Sequence, residues 1–212
     1  MQKGLLLVVS GPSGCGKGTV LKEVMQQQDL YYSVSLTTRA PRPGEVDGVQ
    51  YHFVSKEQFE KMIAQDEVLE HAEFCGNYYG TPRDAVEAMR NEGKNVILEI
   101  EVQGAQQVMQ KCPDAVSIFI APPSMTELEK RLRGRGTEAE EVIQKRLATA
   151  SGELKDAPNY KYLVVNDQVE TAAQEILTIL AAEQIHQINK EEKVKGEYWW
   201  RRWRAYRRGS FR

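Results

Sequence analysis

The sequence predicts an α/β fold: a parallel sheet flanked by helices, with a small mixed β/α insertion and an added helical segment. Three observations carry this expectation. The apolar run Leu5–Val9 enters a glycine-rich loop at Ser10 and leaves it as a helical pattern. Short apolar runs recur at Val96–Ile100, Ala115–Ala121 and Tyr162–Val165. Helical patterns separate those runs, and continuous apolar strands joined by helices are the mark of a sheet covered on both faces.

The elements follow in order. Gly4–Val9 reads as a buried strand. From Lys17 to about Gln28, Val20, Leu21 and Val24 recur at helical spacing. Short β-like pieces then replace long helices, at Tyr32–Thr37 and Val49–Val54, where proline, glycine, threonine and tyrosine accumulate. Thr81-Pro82 reads as an N-cap followed by proline in the first helical turn. Ser124-x-x-Glu127 and Thr137-x-x-Glu140 fit the capping box. The helix from Thr137 puts Ile143, Leu147, Ala150 and Leu154 on one face, and a final helix, about Val169 to Asn189, carries Ile176, Leu177, Leu180, Ile185 and Ile188.

Composition narrows the function classes. A chain of 212 residues fits one domain with small insertions. No apolar run reaches the eighteen or so residues of a membrane span, and the N-terminus enters a strand-like run with no cleavable signal. Cys15, Cys75 and Cys112 are too scattered for metal spacing and odd in number, which reads as reduced thiols in a cytoplasmic protein. His52, His71 and His186 form no ligand spacing either. The net charge of −2 conceals an asymmetry: six arginines lie between Trp199 and Arg212, and without them the remainder carries −8.

The chemistry starts at the loop. Gly11-Pro12-Ser13-Gly14-Cys15-Gly16-Lys17, set between a strand and a helix, has the spacing of a phosphate-binding loop. Its glycines let successive backbone N–H groups face an anion, the helix dipole lies beneath, and Lys17 reaches the outer phosphates. Cys15 reads as a small side chain fitted into the loop. Gly18 stands where the strict motif has a magnesium-coordinating hydroxyl, and Thr19 follows it, so Thr19 offers a hydroxyl for Mg²⁺ either directly or through water.

A second anion site follows. Arg39 and Arg42, three apart on a proline-stiffened segment, form paired forks suited to another phosphate, and Tyr51 adds a hydroxyl. Thr37-Thr38-Arg39-x-x-Arg42, then acid, glycine and Tyr51-x-Phe53, resembles the guanylate kinase signature. "GNYYGTP", "VILEIEVQGA", "RLRGRGT" and "VVND" extend the resemblance from about Gly4 to Glu183. The resemblance implies an ATP-dependent kinase of GMP that works with Mg²⁺. It divides the chain into a core (4–32, 82–123 and 147–189), a GMP-binding insertion (33–81), a lid (124–146) and a tail (190–212) outside the likeness.

At matching positions the resemblance assigns the GMP phosphate to Arg39, Arg42, Tyr51 and Tyr79. Ser35, Glu70, Thr81, Glu99 and Glu101 fall to the guanine side. Guanine presents two adjacent donors, N1–H and the 2-amine, to a carboxylate. Adenine would leave that buried carboxylate unmet, and such sites discriminate by about 10⁴. Thr81 as a simple cap, and Glu70 or Glu99 as solvated acids, are the plainer readings. Many family members have aspartates where Glu99 and Glu101 stand.

The resemblance further implies that Arg135 and Arg146, with Lys17 and Arg39, offset charge in transfer, and that Arg131 and Asn166 lie on the ATP side, Asn166 near the base. A scaffold module of the same fold, which binds protein ligands, is disfavoured by the intact loop. A kinase for another monophosphate is disfavoured by Glu70 with the Thr37–Phe53 stretch. The tail, "EYWWRRWRAYRRGSFR", interleaves arginine with aromatic rings; this suits an anionic partner, lipid or nucleic acid, and equally an appendage that folds on the acidic body.

Overall fold

The computed structural model describes residues 2–74, 76–134 and 139–194. Its centre is β1 (Leu6–Ser10), every residue of which is buried. β1 pairs in parallel with β7 (Val96–Glu99) on one side and β8 (Val116–Ala121) on the other. β2 (Tyr31–Tyr32) and β9 (Tyr162–Val165) extend the sheet to the order β2-β7-β1-β8-β9. All these pairings are parallel, so each needs a crossover, and the intervening segments supply it.

The period of two along β1 sorts the core. Leu7 and Val9 face α1 (Lys17–Gln27) and α7 (Val169–Val194), meeting Val20, Leu21, Val24, Ile176 and Leu180. Leu6 and Val8 face the opposite way, toward Val86 of α3 (Arg83–Asn91) and Val102, Ala105 and Val108 of α4 (Val102–Lys111). Apolar residues on both sides of one strand therefore fix a three-layer arrangement.

A second sheet lies beside the first, with the order β4-β3-β6-β5. It comprises β3 (Leu36–Thr37), β4 (His52–Phe53), β5 (Val68–Phe74) and β6 (Asn77–Pro82). β5 and β6 form an antiparallel hairpin, and α2 (Lys56–Ala64) lies against the sheet through Phe59, which meets Leu36, Val68 and Tyr78. The edge of β5 is not left open. Gln107 of α4 exchanges two hydrogen bonds with the His71 backbone (3.2 and 2.7 Å), and Lys111 donates to the Leu69 carbonyl at 2.7 Å. Side chains thus satisfy an edge that would otherwise invite pairing.

α5 (Met125–Gly134) and α6 (Glu140–Glu153) form a small unit around Leu128, Leu132, Ile143 and Ala150, and a 3₁₀ turn, Leu154–Asn159, leads to β9. Ser124 accepts the Glu127 amide at 3.1 Å as a cap should, whereas Glu127 turns its carboxylate to Arg131. Thr137 lies outside the described residues, and the N-cap of α6 is Ala139, with no side-chain cap.

Other sequence expectations need correction. Thr81 lies within β6, which runs on to Pro82, instead of capping a helix, and Pro82 is the N-cap of α3. α2 and its capping box, in which Ser55 and Gln58 bond reciprocally, went unread within the proline- and glycine-rich texture. Ile185 and Ile188 are exposed, because the face of α7 that packs runs through Ala173, Ile176, Leu180 and Glu183. Leu163 and Val165 are also exposed; β9 is an edge strand, and Tyr162 and Val164 turn into the α7 side of the core.

Gly4 is where the chain enters this sheet. Its N–H donates to the Arg90 carbonyl at 2.7 Å and its carbonyl accepts from Arg90 Nε at 2.9 Å. A Cβ there would lie 1.8 Å from the Lys94 carbonyl oxygen. Gly4→Ala should therefore cost about 1–3 kcal/mol by forcing backbone apart. A urea titration should show a lower midpoint with an unchanged slope.

Candidate functional site

The phosphate loop lies at the carboxyl end of β1, where ligands gather on parallel sheets. Gly14 and Gly16 adopt φ of 95° and 91°, a region that favours glycine, and turn the chain into α1. Lys17 Nζ donates to the loop's own Gly11 and Pro12 carbonyls at 2.6 and 3.3 Å. Cys15 is fully buried, which pushes its thiol pKa up and makes it a packing residue.

Three distant residues hold the loop from outside. Asn166, 2% exposed, donates to the Cys15 carbonyl at 2.7 Å. Arg131 of α5 donates to the same oxygen at 3.4 Å, and Arg146 of α6 donates to Ser13 Oγ at 2.7 Å. Leu128 and Leu132 sit directly against Gly14. The α5–α6 unit therefore carries cationic groups to the edge of the loop. Arg135 lies outside the described residues.

The second sheet supplies another cluster. Arg39 grips Glu45 with both terminal nitrogens, at 2.9 and 3.0 Å, and its guanidinium lies 5.4 Å from the Tyr51 ring centroid. Tyr51 and Tyr79 meet edge to face at 5.9 Å. Glu45 also accepts the Arg42 backbone N–H at 2.7 Å, and the Arg39 guanidinium holds its carboxyl below the usual range. A carboxylate thus occupies a fork shaped for a planar or tetrahedral oxyanion. Arg42 itself is exposed, and Ser35, just before β3, is half-buried.

Glu70 is the most confined acid of this cluster, 4% exposed. Thr81 Oγ1 donates to its Oε1 at 2.7 Å across the β5–β6 hairpin. The carboxylate lies against Gly104 of α4, where a Cβ would come within 2.2 Å of Oε2. A glycine inside a helix costs about 0.5–1 kcal/mol relative to alanine, and here it opens the space that Glu70 fills. Burial dominates the carboxyl's ionisation and lifts it to about 7, with the Thr81 bond and Lys111 opposing and Glu101 assisting.

Glu101, the exposed N-cap of α4, belongs to this side of the site. Glu99 stands apart: it accepts from the Tyr32 hydroxyl at 3.0 Å and faces Gly18 of the phosphate loop. A cleft of about 430 Å³ lies away from all of these, between Gln2–Gly4, Gly93, Asn95 and the exposed Ile185 and Ile188.

A phosphate loop with external arginines, facing a sheet with an arginine–tyrosine cluster and a buried carboxylate, is the setting in which the comparisons fall. The family model described as guanylate kinase matches residues 3–183. The chain belongs to the guanylate kinase family. A guanylate kinase of Desulfitobacterium hafniense is 58% identical over 181 residues, which is 85% of this chain and 90% of the relative. One of Bacillus anthracis is 55% identical over 184 residues, 86% of this chain and 90% of the relative. The crystal structure of guanylate kinase from Anaplasma phagocytophilum, 38% identical, matches with a TM-score of 0.69 over 86% of this chain and 87% of that one.

Within this guanylate kinase chain, sequence reasoning named the arginines, the tyrosines and Glu70 but not three residues that the structure sets against named ones. Gly104 is visible only once α4 lies on Glu70, and Tyr32 only once β2 joins β7. Glu45 was part of the motif, yet its bond to Arg39 was not legible.

The ionisation of Glu70 has a consequence for stability. The folded chain binds this proton more tightly than the unfolded chain, whose carboxyl titrates near 4.5. Stability from this group is therefore full below about pH 4.5 and lost as pH rises through about 7, a change on the order of 3 kcal/mol. Replacing Glu70 with Gln should flatten the difference in urea midpoint between pH 5 and pH 8. A decline as steep as in the parent chain would assign it to other groups.

Proposed function

We propose that the chain transfers the γ-phosphoryl group of ATP to GMP, giving ADP and GDP, with the site residues in the following roles. The observation that carries the reading is the pairing of a phosphate loop with a buried carboxylate, Glu70, already bonded to Thr81. The loop N–H groups and Lys17 take the ATP phosphates; Lys17 exchanges its two loop carbonyls for phosphate oxygens. Arg39, with Arg42, Tyr51 and Tyr79, takes the GMP phosphate when Glu45 yields the fork. Glu70 accepts the guanine donors with Thr81, Ser35 and Glu101 around the base, as a donor-rich edge requires.

Phosphoryl transfer asks the protein mainly to align the two phosphates and offset charge. Arg131 and Arg146 serve that need from the α5–α6 side, Arg135 joins them on the strength of its motif position, and Asn166 holds the loop in shape. Mg²⁺ would accompany ATP and offset the charge of its phosphates; Thr19 and Glu99, oxygen donors of a kind that suits a hard cation, would hold it beside the loop. Among the described residues no helix is long and apolar enough to cross a membrane, and a cytoplasmic setting forms part of the proposal.

A coupled assay with AMP, CMP, UMP and GMP tests the reading; turnover should require GMP. In Glu70→Gln, the amide offers a donor to a donor-rich edge, and GMP turnover should fall by about 1–3 kcal/mol in kcat/KM while ATP affinity is kept. Unchanged GMP kinetics would remove Glu70 from the site.

The arginine–aromatic tail lies outside the described residues and outside the family match, which stops at residue 183. We propose that it contacts an anionic partner, lipid or nucleic acid, independently of catalysis. Truncation after Lys195 should leave kcat and KM for GMP within about twofold and reduce salt-sensitive retention on anionic liposomes or RNA. Equal retention with and without the tail would deny it a binding role.

A further inference from the structure

The cleft of about 430 Å³ beside the entry of the chain into β1 plays no part in phosphoryl transfer. Its frame is fixed without a ligand. Gln187 Nε2 of α7 donates to the Lys3 carbonyl at 2.8 Å, and the Leu5 N–H donates to Asn95 Oδ1 at 2.9 Å. One wall is α7, where Ala181, Gln184, Ile185 and Ile188 follow the three- and four-residue spacing of a single helix face. Ile185 is 60% exposed there and Ile188 44%. A lone exposed isoleucine is ordinary on a protein surface. Two of them bordering a preformed cleft leave apolar area in water at a place with room for an aromatic ring. Among the described residues of the lining Lys3 alone is charged, so the cleft favours an uncharged occupant over a cation.

The chain carries rings of its own to that place. All three tryptophans, Trp199, Trp200 and Trp203, follow the end of α7 at Val194. At 1.5 Å per residue, Ile188 lies about 9 Å and Ile185 about 13 Å back along the helix from Val194. The five residues from Val194 to Trp199 span up to about 17 Å when extended, so a reversed chain reaches both isoleucines. Gly196 stands between helix and rings, and glycine is the residue at which a chain most readily turns back after a helix. The family match stops at residue 183, so the two isoleucines and the three tryptophans are together additions beyond it. Tethering also favours this occupant: a short flexible link gives an effective concentration on the order of millimolar, which a separate copy does not match in dilute solution.

We propose that the segment 197–206 folds back along α7 and that its indole rings fill the cleft between Ile185, Ile188 and the Gln2–Gly4 segment. The two kinds of side chain in the tail then separate. Rings enter the cleft, where Lys3 turns cations away, and arginines stay outward, free for the anionic partner proposed above. The docking needs neither nucleotide, so it holds whatever the acceptor of the kinase reaction.

Because every tryptophan lies in this segment, the indole fluorescence of the full chain reports on it alone. In the folded chain the emission should lie to the blue of its position in urea and resist quenching by acrylamide. Replacing the exposed pair, Ile185→Ser with Ile188→Ser, should shift the emission to the red and raise the quenching constant about twofold as the rings return to water. Leu163→Ser, at an equally exposed position on β9, should change neither. The protection should also survive about 1 M salt, where the Debye length is about 3 Å. Emission already at its urea position in the parent overturns the docking. Protection that the isoleucine pair does not alter, or that salt removes, places the rings elsewhere on the acidic body and overturns the cleft. Protection lost on dilution, with the mass halving in light scattering, gives the cleft to a second copy and overturns docking within one chain. Hydrogen exchange checks the same contact without touching α7: the amides of Gln184–Ile188 should exchange faster in a Trp199→Ser, Trp200→Ser, Trp203→Ser chain than in the parent, and equal rates overturn the proposal.

Discussion

The structure depends on the grip that distant residues keep on one loop carbonyl. A phosphate loop turns its N–H groups inward, so its carbonyls point outward and need partners of their own. At Cys15 those partners are the amide of Asn166 and the guanidinium of Arg131, drawn from the turn after β9 and from α5. β9 and the α5–α6 unit are thereby tied to the loop that follows β1. Removing a partner would leave a buried polar group unmet, which costs about 1–3 kcal/mol.

The second constraint is the confinement of Glu70. A carboxylate so buried is unfavourable unless something receives it, and three features from two elements share that task. The hairpin supplies Thr81, α4 supplies the glycine gap, and Lys111 supplies a nearby positive charge. The same face of α4, through Gln107 and Lys111, also closes the edge of β5. One helix thus joins the two sheets and shapes the acid between them.

The sequence made the main sheet legible because its strands are buried on both faces and read as apolar runs. β1, β7, β8 and β9 fall within a residue or two of expectation at each end, and the loop is where its glycines put it. The second sheet was less legible. β3 and β4 have two residues each, β5 and β6 are mixed in polarity, and α2 buries only Phe59, so period and length gave weak signals. Among site residues, motif positions were legible and pairings were not. Thr81 looked like a cap because threonine before proline usually is one; its hydroxyl goes to Glu70 because the strand continues to Pro82. Ile185 and Ile188 show the limit of apolarity as a guide, since both are exposed on α7.

The contact between Asn166 and Cys15 spans 151 residues of chain. During synthesis the amino-terminal strand and loop emerge first, yet β1 gains its neighbours only when residues 96–121 arrive. The loop gains its last support later still, with Asn166 and then α7 across its sheet face. Closing such separations carries an entropy cost that makes parallel pairings slow to form. The nascent chain therefore holds an apolar strand in waiting for most of its translation, and nucleotide can select a finished loop only near the end. A ligand that binds the completed site alone would then favour the folded chain by mass action at its most vulnerable stage.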